Sequence, residues 1–245
     1  MDRGKHLAAS FSKTQIDRLG DRLRHGTLAE SDLRLLDDYR RSFGQVYETV
    51  VQILREQLRL EPTGRSAKST ASLTEKLRRE SIRLAQVQDI AGCRVVVTSV
   101  REQDRVVASL RVLFPTASIV DRRRNPSYGY RAVHVIVQIS GRLVEVQVRS
   151  SLQHLWAELS EKLSDVVDPA IKYGGGAEWI RAMLTSGSQA IESLEGWETE
   201  LAGMPEQEAP ERQHVTQSLA DSKAALGKLL SEVIVWVENV RRRQP

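Results

Sequence analysis

Cysteine is almost missing from this sequence: among 245 residues there is one, Cys93. A lone thiol excludes an internal disulfide and a cysteine-built zinc site. Long apolar runs are missing too. No stretch reaches the roughly 18 consecutive apolar residues of a membrane-spanning helix. The opening Met1-Asp-Arg-Gly-Lys-His6 is not followed by the apolar segment of a secretory signal. Low-complexity tracts and internal repeats are absent as well. Together these absences point to a soluble cytoplasmic protein with no membrane partner.

What is present is enough for a core: 40% of the residues are hydrophobic. The length suits one large domain, or one domain with helical additions. The formal charge of +4 leans mildly towards anionic partners such as nucleotides or RNA.

Along the chain, residues 12–25 read as a short amphipathic helix built on Ile16, Leu19 and Leu23. Thr27 and Glu30 make a capping-box pattern, and apolar residues at three- and four-residue steps then predict one long helix to about Leu60. This part reads as scaffold, with Arg40 and Arg41 as its possible polyanion contacts. Pro62-Thr-Gly64 ends the helix. A new helix starts near Ser69 to Ser72, and Ser72, Lys76, Arg79 and Arg83 fall on one of its faces. Hydroxyls and cations at a helix start form either a phosphate site or a solvated basic face. Asp89 precedes the apolar run Val95-Val-Val97, as a metal-reaching carboxylate or as a turn residue.

Residues 102–114 read as a helix and Ile119-Val120 as a short strand. The loop Asp121 to Arg131 carries Arg122, Arg123, Arg124 and Arg131 with Tyr128 and Tyr130, and the strand Ala132 to Ile139 follows. Interleaved Arg and Tyr bind phosphates and stack on bases, although a charge run is commonly just a solvated loop. Gly141 to Arg149 alternates with a period of two: Val144, Val146 and Val148 on one face, Glu145, Gln147 and Arg149 on the other. Taken alone, the polar row reads as the solvated face of an edge strand. Ser150 or Ser151 caps a helix to about Leu163, with Gln153 able to face a ligand. Two further helices, 177–197 and 212–243, flank the linker Gly203 to Pro210. The last carries a seam at Leu226, Leu230, Val233, Val237 and Val240, for an internal or a partner helix.

Jointly, Arg65, Lys68, Ser72 and Lys76, Asp89 with Gly92 and Arg94, Gly129-Tyr-Arg131 with His134, and Glu145-Val-Gln-Val-Arg149 followed by Gln153 and Trp156-Ala157 resemble the synthetase domain of the RelA/SpoT family. The resemblance covers about residues 40–175. It implies an α/β (α+β) fold: a mixed β-sheet of about five strands flanked by helices, nucleotidyltransferase-like, with N- and C-terminal helical extensions. The expected division is an N-terminal helical region at 1–60, a synthetase core at 61–175 and C-terminal helices at 176–245. It also implies transfer of pyrophosphate from ATP to a ribose 3′-hydroxyl, with Mg²⁺.

Each role follows from the resemblance. Arg65 is similar to the arginine that stacks on the adenine of ATP, and Lys68, Ser72 and Lys76 to the groups that hold its phosphates. Asp89 and Glu145 are similar to the acidic pair at the magnesium, and Glu145 also to the activator of the attacking hydroxyl. Tyr130 is similar to the tyrosine that stacks on the acceptor base. His134, Arg131, Gln147, Arg149 and Gln153 are further acceptor contacts. The acceptor is GTP or GDP, giving an alarmone. The alternative is the 3′ end of tRNA, with Arg122, Arg123 and Arg124, the patch near Arg40 and the Arg241 to Arg243 tail holding RNA. A third possibility is an inactive nucleotide- or RNA-binding module.

Asn125-Pro-Ser-Tyr128 stands where alarmone-making members typically carry Asn-Pro-Lys-Pro-Asn, and Glu161 where many carry histidine. Both make the chain similar to the small toxic branch of the family, which brings an antitoxin protein into view as a partner. None of the five histidines is followed by Asp, so the metal doublet of the family's hydrolase half is missing.

Overall fold

In the computed structural model, which describes residues 11–203 and 209–243, the chain order is α1 (Lys13–His25), α2 (Glu30–Arg41), α3 (Gly44–Leu58), β1 (Thr63–Arg65), α4 (Thr70–Arg79), β2 (Ala91–Val97), α5 (Val100–Leu113), β3 (Ser118–Asp121), β4 (Val133–Ile139), β5 (Arg142–Ser150), α6 (Ser151–Val166), α7 (Glu178–Gly203) and α8 (Ala209–Arg243). The strands form one mixed five-stranded sheet in the order β1-β2-β5-β4-β3.

The period-two run is the middle strand, not an edge. Val144, Val146 and Val148 are fully buried, and each contributes about 1.5–3 kcal/mol of hydrophobic stabilisation. Glu145 and Gln147 are half-buried and Arg149 is buried, so the polar row is not a solvated face. β4 and β5 are joined by Ser140 (φ 49°) and Gly141 (φ 75°), both left-handed, as in a type I′ hairpin.

Other expectations are corrected at the N-terminal side. The long helix is two, broken at Ser42–Phe43. The α2 cap is Ala29, whose N–H donates to the Asp32 carboxylate (3.1 Å), so the Thr27–Glu30 capping box does not form. Pro62-Thr-Gly64 leads straight into β1, which pairs antiparallel with β2 as Thr63↔Arg94, Gly64↔Cys93 and Arg65↔Gly92. A Cβ on Gly64 would lie 2.3 Å from the Gly92 carbonyl oxygen, so only glycine lets β1 lie there. Finally, α4 ends at Arg79, and Arg83 pairs with Asp17 off the helix (3.8 Å).

By its contacts the chain divides into two compact units. The first holds the chain up to Val95 with Leu113–Ser118 and Val135–Gln147. Ile16, Leu19 and Leu23 of α1 are buried in it, and α1 approaches Leu84 at Gly20, where a Cβ would come within 2.6 Å of the Leu84 Cβ. The second holds Val96–Val112, Ile119–His134 and the chain from Val148 on. Its core is Trp156, Leu159 and Leu163 of α6, Ile180, Leu184 and Ile191 of α7, and Leu230, Ile234 and Val237 of α8. The α8 seam thus packs within its own chain. Residues 204–208 of the expected linker lie outside the described residues. No helix among the described residues is long and apolar enough to cross a membrane.

Candidate active site

In the first unit the segment after β1 is pinned by its backbone. The Lys68 N–H donates to the Ile90 carbonyl (2.7 Å), and the Arg40 Nε donates to the Lys68 carbonyl (2.9 Å). This explains Arg40 as a support. Ser69 then caps α4: its Oγ accepts from the Ser72 N–H (3.2 Å) and donates to the Ser72 Oγ (2.9 Å). One helical turn further, Lys76 faces back towards Lys68.

Both lysines converge on one carboxylate. Lys68 Nζ lies 2.7 Å from Asp89 Oδ2 and Lys76 Nζ lies 2.9 Å from Asp89 Oδ1. Burial would raise the Asp89 pKa, but the attraction and hydrogen bonds of the two lysines outweigh it and hold the group at about 2. Asp89 is therefore ionised, with its side chain still 20% exposed. Arg65 is exposed on β1. Arg79 is occupied by Glu75 and Glu80.

Glu145, on β5, sits where β2 comes close. A Cβ on Gly92 would lie 3.1 Å from the Glu145 carbonyl oxygen and 3.5 Å from its Cβ, so the glycine lets the two strands approach there. Gln147 Nε2 donates to Glu145 Oε2 (2.6 Å). Burial pushes the nearby Cys93 thiol up to about 12, and the Glu145 charge adds to the shift. That thiol is an inert core group.

In the second unit, Tyr130, His134 and Arg149 form a cluster. The Tyr130 hydroxyl is 2.9 Å from His134 Nε2 and accepts from Arg149 Nη2 (2.9 Å). The Arg149 guanidinium also lies 5.0 Å from the Tyr130 ring centre. The preceding loop is fixed by close packing. Gly129 has φ 89°, and a Cβ there would strike the Trp156 ring at 2.7 Å.

Two expected acceptor contacts are buried in hydrogen-bond networks. Arg131 is buried; it donates to the Arg123 carbonyl (2.8 Å) and the Ser188 hydroxyl (3.1 Å) and pairs with Glu192. Gln153 is 1% exposed and bonds to Gln103 and Glu195. Of the expected RNA contacts, Arg123 is neutralised by Asp104 and Asp121 (2.8 Å each), and Arg122 donates to the Ser127 hydroxyl (3.1 Å). Arg124 stays 86% exposed.

Sequence reasoning missed Gln103 and Glu195. Gln103 donates to the Val148 carbonyl (2.7 Å), holding the end of β5. Glu195 accepts from the Ser150 hydroxyl that caps α6 (2.5 Å). Burial raises the Glu195 pKa, against the lowering pull of the Ser150 and Gln153 hydrogen bonds. No sequence signal marks either residue, because their partners lie more than 40 positions away.

Fold and site together define an α/β protein whose first unit clamps an ionised carboxylate between two lysines beside a capped helix start. The profile described as "Region found in RelA / SpoT proteins" matches residues 64–164. The GTP pyrophosphokinase YjbM of Bacillus subtilis is 31% identical over 157 residues, which is 58% of this chain and 71% of that protein. An uncharacterised protein of Mycobacterium tuberculosis is 38% identical over 120 residues, 47% of this chain; the match spans 44% of that relative's length. Among solved structures, small alarmone synthetase 1 of Bacillus subtilis bound to its product pppGpp is similar with a TM-score of 0.53 and 26% identity, over 71% of this chain and 98% of that one. The chain belongs to the RelA/SpoT family.

Proposed function

We propose that the chain transfers pyrophosphate from ATP to the ribose 3′-hydroxyl of a guanine nucleotide, GTP or GDP. The observation that carries this is the Lys68–Asp89–Lys76 cluster beside the Ser69-capped helix, in a chain similar to a GTP pyrophosphokinase. Phosphoryl-type transfer needs positioning and charge neutralisation more than covalent help from the protein. Two lysines now held by Asp89 exchange that partner for the phosphates of ATP, and Ser72 adds a hydroxyl at the helix start. To Arg65, exposed on β1, this reading assigns the adenine.

The metal of this reading is Mg²⁺. Asp89 is ionised at neutral pH, and carboxylate oxygens are the hard ligands that this ion takes. Asp89 and Glu145 would hold it. When bound, the ion neutralises charge on the transferred group. Glu145 takes the proton of the attacking hydroxyl as the bond from 3′-oxygen to the β-phosphorus forms. The bond between the β-phosphorus and the bridging oxygen to the α-phosphate breaks, and AMP leaves. Gln147 orients Glu145 through their hydrogen bond. Tyr130 stacks on the acceptor base, with His134 and Arg149 fixing its hydroxyl.

The tRNA reading gains no support from Arg123, whose guanidinium is paired with Asp104 and Asp121. The test is transfer from β-labelled ATP with Mg²⁺, offering GTP, GDP or deacylated tRNA. Label on the guanine nucleotide is expected. Label on tRNA alone would assign the other acceptor, and label on neither would refute the enzymatic reading.

A further inference from the structure

The inner side of α8 packs on α6 and α7 through Leu230, Ile234 and Val237. The outer side of the same helix carries a second row. Val215, Ser218, Ser222, Ala225, Leu229 and Trp236 follow one another at three-, four- and seven-residue steps, and every one of them is exposed. Leu229 is 56% and Trp236 64% exposed. Large apolar side chains left in water along one line of a helix mark an interaction surface.

The row is unequal along its length. Its C-terminal half is large, with Leu229 and Trp236, and its N-terminal half is small, with Ser218, Ser222 and Ala225. The Ser222 hydroxyl already donates to the Ser218 carbonyl (2.8 Å), so covering it strands no donor. Charge follows the same division. On one flank of the row, Asp221 belongs to the small half and Lys228 to the large half, one heptad apart. Lys228 stays 78% exposed, and its contact with Glu232 (3.9 Å) is a solvated pair that holds it weakly. A parallel partner helix would set like charges together on this flank. An antiparallel one sets each Asp221 against a Lys228 and each large half against a small one.

We infer that α8 pairs antiparallel with α8 of a second copy of this chain, about a two-fold axis near Ala225. Leu229 of each copy lies over Ser218 and Ser222 of the other, Trp236 of each reaches the end of the other's row near Val215, and Asp221 meets Lys228 on both sides of the axis. An isologous contact of this kind closes after two copies. Trp236 is its anchor, since tryptophans covered at an interface carry a large share of the binding energy. None of these residues is used in the proposed transfer, so failure here and failure of that reaction are separately visible.

The experiment is sedimentation velocity of the full chain over rising concentration, on wild type, Trp236→Glu, Asp221→Lys, Lys228→Asp and the double swap Asp221→Lys with Lys228→Asp. These side chains are exposed, and circular dichroism confirms that each variant is folded. Wild type is expected to dimerise. Trp236→Glu should weaken the dimer about tenfold or more, as loss of an anchor predicts. Each single charge change should weaken it too, and the double swap should restore it. As a second readout, Ala225→Cys, beside the axis, should link two chains by a disulfide in oxidised glutathione. Val235→Cys, on the same helix but away from the axis, should not, and the native Cys93 is buried and adds no background. A monomer at every concentration, a dimer indifferent to Trp236→Glu, a double swap no tighter than the single changes, or equal cross-linking at both cysteines would each overturn the assignment.

Discussion

The two units handle buried charge in opposite ways. In the first, Asp89, Lys68 and Lys76 neutralise one another while still reached by solvent, each 14–20% exposed. Such pairs are exchangeable, because an incoming phosphate offers the lysines an equivalent partner. In the second, Arg131, Gln153, Gln103 and Glu195 are sealed inside, and their hydrogen bonds tie loop, sheet end and helices together. There, losing a partner costs stability rather than binding. Polar residues close in sequence pattern therefore divide into those that meet ligands and those that hold the frame.

Changes in the two units should separate along that line. The largest effect is expected for Glu145→Gln and Asp89→Asn, which should each reduce transfer by about 10²–10⁴-fold, the usual contribution of a positioned acid or base. Their circular dichroism should stay native; wild-type turnover in either would end the assignment. Trp156→Ala in the second unit should instead cost about 3–5 kcal/mol of unfolding free energy. Trp156 is buried beside Gly129 and its indole N–H donates to the Leu184 carbonyl (2.8 Å); denaturant melts give the value. Gln153→Ala should cost about 1–3 kcal/mol, by leaving its buried partners unsatisfied.

Comparable in size is the pH dependence of Asp89. Its folded pKa is about 2 against an ordinary 3.8. A depressed carboxylate stabilises the fold above its unfolded pKa, and the stabilisation is lost as pH falls through the folded value. The stability gap between wild type and Asp89→Asn should be about 2 kcal/mol above pH ~4 and close towards pH ~2. Urea melts across that range check it. A constant gap would mean that the lysines do not hold the carboxylate.

Most helices and the two long strands β4 and β5 were legible in the sequence, because their apolar periodicity reports burial directly. The break between α2 and α3 was not. Tyr39, Phe43 and Val46 are all buried and keep helical spacing across it, so the core stripe runs on while the backbone does not. β1 was too short, at three residues, to show alternation. The central place of β5 was hidden because half-buried Glu145 and Gln147 look like solvent-facing residues.

Of the site, the residue types were within reach of pattern and resemblance, and the pairing of Lys68 and Lys76 with Asp89 was not. The burial of Arg131 and Gln153 was not. It depends on Ser188, Glu192 and Glu195 of α7, which no local pattern connects to them. The guanidinium of Arg142, 5.3–5.4 Å from the ring centres of Phe11, Tyr39 and Phe43, is hidden for the same reason.

The most direct measurement is calorimetric binding of an ATP analogue with a methylene bridge between its α- and β-phosphates, in Mg²⁺, to wild type, Lys68→Ala, Lys76→Ala and Tyr130→Ala. Each lysine change should weaken binding about tenfold, the equivalent of one charge-assisted contact, while Tyr130→Ala leaves it unchanged. Full affinity in both lysine variants would contradict the claim that these cations exchange Asp89 for the donor's phosphates.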